Sequence, residues 1–136
     1  MGIVVDTGVF IHWERTGRVV DLSRWTKLGT PCVSVVTVSE LKVGVHRANT
    51  PERRARRNQF VEAVLSSVNV LAIDSQIAEI HAGIVAALTT QGNAIGPHDF
   101  WIAATALHHD FVLLTTNATE FQRVPNLRVI DFLNST

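Results

Sequence analysis

The sequence holds one cysteine, Cys32, which excludes an internal disulfide and any cysteine-rich zinc site. Cys32 lies in the apolar run Pro31-Cys-Val-Ser-Val-Val36, so a buried structural thiol is expected there. No apolar stretch reaches the ~18 residues a membrane span needs. No basic region precedes an apolar one at the N-terminus, so the start does not read as a signal peptide, and the expected location is the cytosol. Charged residues are scarce at 18%, and the mean hydropathy is positive at +0.20, which argues against disorder. Neither charge sign is in excess: 12 basic residues face 12 acidic ones. At face value this balance speaks against a strongly basic nucleic-acid binder. The chain has no Gly-x-x-x-x-Gly-Lys-[Ser/Thr] loop and no Gly-x-Gly-x-x-Gly fingerprint, so nucleotide-binding folds lose their main signal.

What is present is an apolar fraction of 46% over 136 residues, enough for one core and one domain spanning 1–136. No repeat, low-complexity tract or linker interrupts it. Short β-branched runs predict strands at 3–6, 32–36, 68–73, 111–115 and 127–130. Apolar residues at helical spacing predict helices at 9–14, 19–28, 37–48, 51–67, 75 to about 90, and 97–107, with a short helical turn at 118–121. Pro51 suits a first helical turn, and Asp74-Ser75 suits a cap. Strands alternate with helices, and most strands are continuous apolar runs. That combination predicts a three-layer α/β fold with a parallel central sheet of about five strands. Ligands of such sheets bind beyond the carboxyl ends of the strands.

Asp6 ends the first strand. Glu40 falls in the first turn of the helix after the second strand, and Asp99 opens the helix before the fourth. Asn117 and Glu120 follow the fourth strand directly. Four acids and one amide therefore gather at one edge of the sheet. Clustered carboxylates repel unless a cation joins them, and a hard divalent ion, Mg²⁺ or Mn²⁺, suits oxygen donors. Each acid also has a purely structural reading. Asp6 could close an Asx turn, Thr37-Val-Ser-Glu40 matches a capping box, Asp99 could cap its helix, and Glu120 could be a solvated surface acid.

Ile3-Val-Val-Asp-Thr7, Ser39-Glu-Leu41, Pro97-His-Asp-Phe-Trp-Ile-Ala-Ala-Thr-Ala106 and Leu114-Thr-Thr-Asn-Ala-Thr-Glu-Phe121 resemble the motifs of PIN-domain ribonucleases. More narrowly they resemble the VapC-type toxins of toxin–antitoxin pairs, and the tail Val124-Pro-Asn-Leu-Arg128 followed by Val129-Ile-Asp131 does too. Each motif is short; their order and spacing from about residue 3 to 132 carry the likeness. The resemblance implies a metal-dependent endoribonuclease with Asp6, Glu40 and Asp99 as ligands of Mg²⁺ or Mn²⁺. At the fourth acidic position Asn117 stands where many PIN domains carry Asp, while Glu120 matches an acid frequent in the VapC subgroup. The neutral amide leaves the second metal open and keeps alive an alternative, a catalytically weak PIN-like module that binds RNA or protein. Thr7 matches a residue that supports the first acid, and Thr116 could orient groups at the fourth position. The resemblance further implies an RNA substrate, with structured RNAs such as tRNA typical, a homodimer and a VapB-type antitoxin.

Ten of the 12 basic residues are Arg, and Arg47, Arg53, Arg54, Arg56 and Arg57 fall within eleven positions. On a helix Arg53 and Arg57 share a face with Arg54 beside them, which suits either RNA phosphates or a solvated face. His98, next to Asp99, reads as surface-exposed. Trp13 and Trp25 read as core residues or as anchors for a partner. Setting Asp6, Glu40, Asp99 and Glu120 aside leaves eight acids against twelve basic residues. The neutral total then describes an acidic pocket in a mildly basic surface, compatible with RNA.

Overall fold

A computed structural model describes residues 1–18 and 21–134. Strand β1 (Gly2–Val5) leads into α1 (Thr7–Thr16), and a 3₁₀ helix (Ser23–Leu28) precedes β2 (Thr30–Ser34). Helices α2 (Val35–Arg47) and α3 (Pro51–Ser66) follow, then β3 (Asn69–Leu71), α4 (Ser75–Thr90), α5 (Pro97–His109) and β4 (Val112–Thr115). The described chain closes with α6 (Ala118–Phe121), β5 (Val129–Asp131) and a 3₁₀ turn (Phe132–Asn134).

The five strands form one parallel sheet in the order β3-β2-β1-β4-β5. Successive side chains of a strand face opposite ways, and here both faces are covered. Ile3 and Val5 of β1 join Phe10, Trp13, Val33, Val61 and Leu114 in a core against α1, α2 and α3. Val4 and Leu113 point the other way, to Leu88, Phe100, Ile102 and Phe121 of α4, α5 and α6. This is the expected three-layer α/β/α arrangement.

Several boundaries differ from the sequence reading. The second strand ends two residues early, because the Ser34 side chain accepts from the Val36 N–H and caps α2. Val35 and Val36 therefore begin a helix despite their β-branched stems. The third strand shrinks to Asn69–Leu71. Of the helix expected over 19–28, positions 19 and 20 lie outside the described residues, and 23–28 form a 3₁₀ helix. Trp13 and Trp25 are core residues, 6% and 7% exposed, with rings 6.4 Å apart. Cys32 is buried, and burial raises its thiol pKa.

Gly29 marks a close approach at the entry to β2. Its φ of 134° lies where side chains are disfavoured, and a Cβ there would sit 2.6 Å from Gly2 Cα. Gly29→Ala must strain this turn and push the first strand aside. The expected loss is on the order of 2–4 kcal/mol, read as a lower urea midpoint at unchanged m-value. An unchanged midpoint would show that the turn relaxes freely.

Candidate active site

The sheet order reverses at β1: the chain builds β2 and β3 on one side, then places β4 on the other. Parallel sheets open a crevice at such a switch point. Asp6 sits there, one residue past β1, with its N–H donating to the Leu114 carbonyl at 2.9 Å. Its side chain caps α1: Oδ1 accepts from the Thr7 N–H at 2.9 Å. Oδ2 accepts from the Thr115 hydroxyl at 2.8 Å, a bond between positions 109 residues apart. Thr115 Oγ1 in turn accepts from the Asn117 N–H at 2.9 Å. A relay of backbone amide, hydroxyl and carboxylate thus fixes Asp6 from across the crevice.

Thr7 does the same for Glu40. Its Oγ1 lies 2.8 Å from Glu40 Oε1 and 2.9 Å from Thr37 Oγ1. A carboxylate only accepts, so the Thr7 hydroxyl donates to Glu40 and accepts from Thr37. The capping-box reading of Thr37 and Glu40 is thereby corrected. Ser34 is the cap, Thr37 lies buried inside α2, and Glu40 stands in the second turn rather than the first. The other Glu40 oxygen, Oε2, lies 3.3 Å from Nδ1 of the exposed His98.

Asp99 is the third residue of α5, and Gly96 is the cap, so Asp99 does not cap its own helix. A Cβ on Gly96 would lie 3.3 Å from Asp99 Oδ2, so the glycine leaves the carboxylate room over the start of the helix. Asn117 precedes α6 without a side-chain capping bond. Its Nδ2 donates instead to Glu120 Oε2 at 2.8 Å, which joins the two residues of the fourth position as one unit. Thr116 packs near Gly8, where a Cβ would fall 2.5 Å from its Oγ1. The hydroxyl that holds the site together is that of Thr115, one residue earlier. Sequence reasoning missed Thr115 and gave Thr37 a capping role instead; Thr115 was open to detection as the last residue of a strand destined to pair with β1.

The electrostatics show how crowded the crevice is. Burial pushes the Asp6 carboxyl from its ordinary 3.8 up to about 6, against the hydrogen bonds from Thr115 and Thr7, and the Glu40 charge adds to the rise. Burial likewise pushes Asp99 up to about 7, with the charges of Asp6, Glu40 and Glu120 adding and His98 opposing. Acids that raise one another's pKa in this way are stabilised by a cation. Among the described residues no three carboxylate, histidine or cysteine side chains close around a point that could hold an ion. A donor set this open fits an ion that keeps part of its water, as Mg²⁺ does with one or two direct carboxylates.

The arginines stand apart from the acids, on exposed positions of α2 and α3. Arg53 Nη1 donates to Asn49 Oδ1 at 2.8 Å, and Arg54 Nη2 donates to the Ala48 carbonyl at 3.1 Å. Arg57 donates to the Gly44 carbonyl at 3.2 Å and pairs through Nε with Glu14 at 3.3 Å. Arg54 and Arg57 therefore tie α3 to the last turn of α2, where carbonyls lack helical partners.

Comparison with known proteins shows the family and the fold. Residues 3–127 match the PIN domain family. The chain is 35% identical over 130 residues to Ribonuclease VapC1 of Rickettsia felis, covering 96% of each. It is 38% identical over 102 residues to the tRNA(fMet)-specific endonuclease VapC of Salmonella typhimurium, covering 74% of each. Among solved structures it resembles DNA-bound VapBC from Salmonella typhimurium, with a TM-score of 0.83 and 30% identity over 96% of this chain and 97% of that one. The chain belongs to the PIN-domain family, within its VapC ribonuclease group.

Proposed function

We propose that the chain, as one PIN-like domain over 1–136, is the endoribonuclease toxin of a VapBC-type toxin–antitoxin pair. It hydrolyses RNA phosphodiester bonds with Mg²⁺ or Mn²⁺ at Asp6, Asp99 and Glu40, with Asn117 and Glu120 completing the site. The observation that carries this reading is the pair of relays that aim Asp6 and Glu40 at one crevice. Hydroxyls spent on fixing carboxylates are characteristic of sites where ligands must be held still. The names of the relatives support RNA as substrate, and one of them makes tRNA the first RNA to try. The VapBC complex among the structural neighbours supports a VapB-type antitoxin as partner. A homodimer and a cytoplasmic location belong to the same reading. No helix of the described chain is long and apolar enough to cross a membrane.

When bound, the ion supplies Lewis acidity toward the phosphate and a water of lowered pKa. The residues of the chain do the rest. Asp6 is fixed by three partners before any ligand arrives, so little ordering remains to be done on binding. The Asn117 amide holds the Glu120 carboxylate facing the crevice. Asp99 carries a proton part of the time near pH 7 in the metal-free chain, and it must release that proton to bind a cation.

The test is cleavage of purified tRNA by antitoxin-free protein. Cleavage in magnesium that stops in EDTA is expected. Cleavage that persists in EDTA would overturn the metal site. Tight RNA binding without cleavage in any divalent ion would instead favour the binding-module reading that Asn117 motivates.

A further inference from the structure

A cleft of about 630 Å³ lies between the last turn of α2 and the first half of α3. Its charged lining is Arg15, Arg47, Arg53, Arg56 and Arg57 against the single acid Glu14. Arg57 is held by Glu14 and Gly44, and Arg53 by Asn49. Arg15, Arg47 and Arg56 are exposed and have no ionic or hydrogen-bond partner among the described residues. Phe60 lines the same cleft. A second hollow of about 210 Å³ shares Arg15, Arg57 and Phe60 with the cleft and reaches Glu40. A run of shared lining residues thus leads from the positive cleft to Glu40.

We infer that this cleft seats the phosphodiester backbone of the RNA strand outside the bond being cut, through Arg15, Arg47 and Arg56, with Phe60 as a platform for a base. The inference rests on the endoribonuclease reading above and assigns it a second subsite. Five guanidinium groups around one hollow repel one another until a polyanion enters. Guanidinium matches phosphate with two parallel hydrogen bonds. Phe60, half-buried against the core around Val61 and Val64, favours RNA over an acidic protein segment. A ring beside a basic groove can stack a base at every nucleotide, which the carboxylate side chains of an acidic peptide cannot match. The assignment also shifts the expected contacts. Arg54 is occupied by Ala48 and does not line the cleft, whereas Arg47 and Arg56 stand free.

The probe is a fluorescein-labelled single-stranded oligouridylate of about 12 nucleotides, kept intact in EDTA. Anisotropy gives its affinity for wild type, R47Q/R56Q and R47K/R56K between about 50 and 200 mM salt. Loss of two phosphate contacts should flatten the slope of log affinity against log salt by about 1.4 and weaken binding roughly tenfold or more near 0.1 M salt. The lysine pair should keep the wild-type slope, and R47Q/R56Q should cleave tRNA with raised KM at unchanged kcat. A wild-type slope in R47Q/R56Q overturns the cleft assignment while leaving the endoribonuclease reading intact. Displacement of the oligouridylate by polyglutamate as readily as by unlabelled RNA of equal charge overturns it in favour of an acidic protein segment. If wild type neither binds nor cleaves RNA, the endoribonuclease reading itself fails.

Discussion

Asp6→Asn is expected to lower the rate of RNA hydrolysis by a factor on the order of 10³ while raising the stability of the metal-free protein. The two effects have one cause. The Asp6 carboxyl is buried, and its pKa stands at about 6 in the folded chain against an ordinary 3.8. At pH 7 the folded state therefore carries a buried charge it holds less well than the unfolded chain does, at a cost of about 3 kcal/mol. Asparagine keeps the shape. Its oxygen still accepts from the Thr7 N–H, and its amide can donate to Thr115 Oγ1, where the carboxylate now accepts. What disappears is the charge that a cation needs. A residue present for folding alone would lose stability and activity together. Urea midpoints in EDTA and initial cleavage rates in magnesium separate the cases. A variant that is both active and no more stable would remove Asp6 from the proposed metal site.

Metal-free protein should lose stability as pH rises from about 4 to about 8, and magnesium should restore it. Asp6 and Asp99 bind their protons more tightly in the folded chain than in the unfolded one, with folded values of about 6 and about 7. Their contribution is full below the ordinary 3.8 and is lost as pH climbs through those values. Asp6 accounts for about 3 kcal/mol, and the half-buried Asp99, discounted for solvent screening, adds a similar or smaller amount. This slope opposes the usual acid lability of carboxylate-rich proteins, so it is diagnostic. The difference between wild type and D6N/D99N, followed by urea titration across the range in EDTA, isolates the two groups. Magnesium should stabilise wild type most at high pH, where both ligands are ionised, and should leave D6N/D99N nearly unmoved. A wild-type curve parallel to that of the double variant would refute the account.

The fold was legible because its signals are long and redundant. Continuous apolar runs at 3–5 and 112–114 alternate with amphipathic segments, and only a parallel sheet covered on both faces absorbs that pattern. The acids were legible for a related reason: Asp6, Asp99 and Glu120 stand next to the end of a strand or the start of a helix, Glu40 one turn into its helix, and the topology gathers those ends. The boundary at Ser34 was not legible. The sequence reading took Thr37 for the cap, whereas the Ser34 side chain, three residues earlier, accepts from the Val36 N–H. The supporting hydroxyls show the same limit. Thr115 and Thr116 are equivalent as letters, and strand alternation turns one toward Asp6 and the other toward Gly8. Nor does a run of arginines reveal which guanidiniums are occupied. Arg54 reaches a carbonyl six residues back and Arg57 one thirteen residues back, distances set by the angle between two helices.

The central position of β1 gives the molecule a schedule. The first strand made by the ribosome is the one whose decisive neighbour, β4, comes more than a hundred residues later, and the bond from Thr115 to Asp6 spans 109 positions. At about 5–20 residues per second that interval lasts roughly 5–20 s. Until β4 has left the ribosomal tunnel, Asp6 lacks the hydroxyl that fixes it, and Asn117 and Glu120 are absent altogether. The growing chain therefore holds the proposed site unassembled until β4 and the residues after it are in place. The crevice closes only once β4 pairs with β1, so Asp6 is fixed late in the assembly of the sheet rather than early.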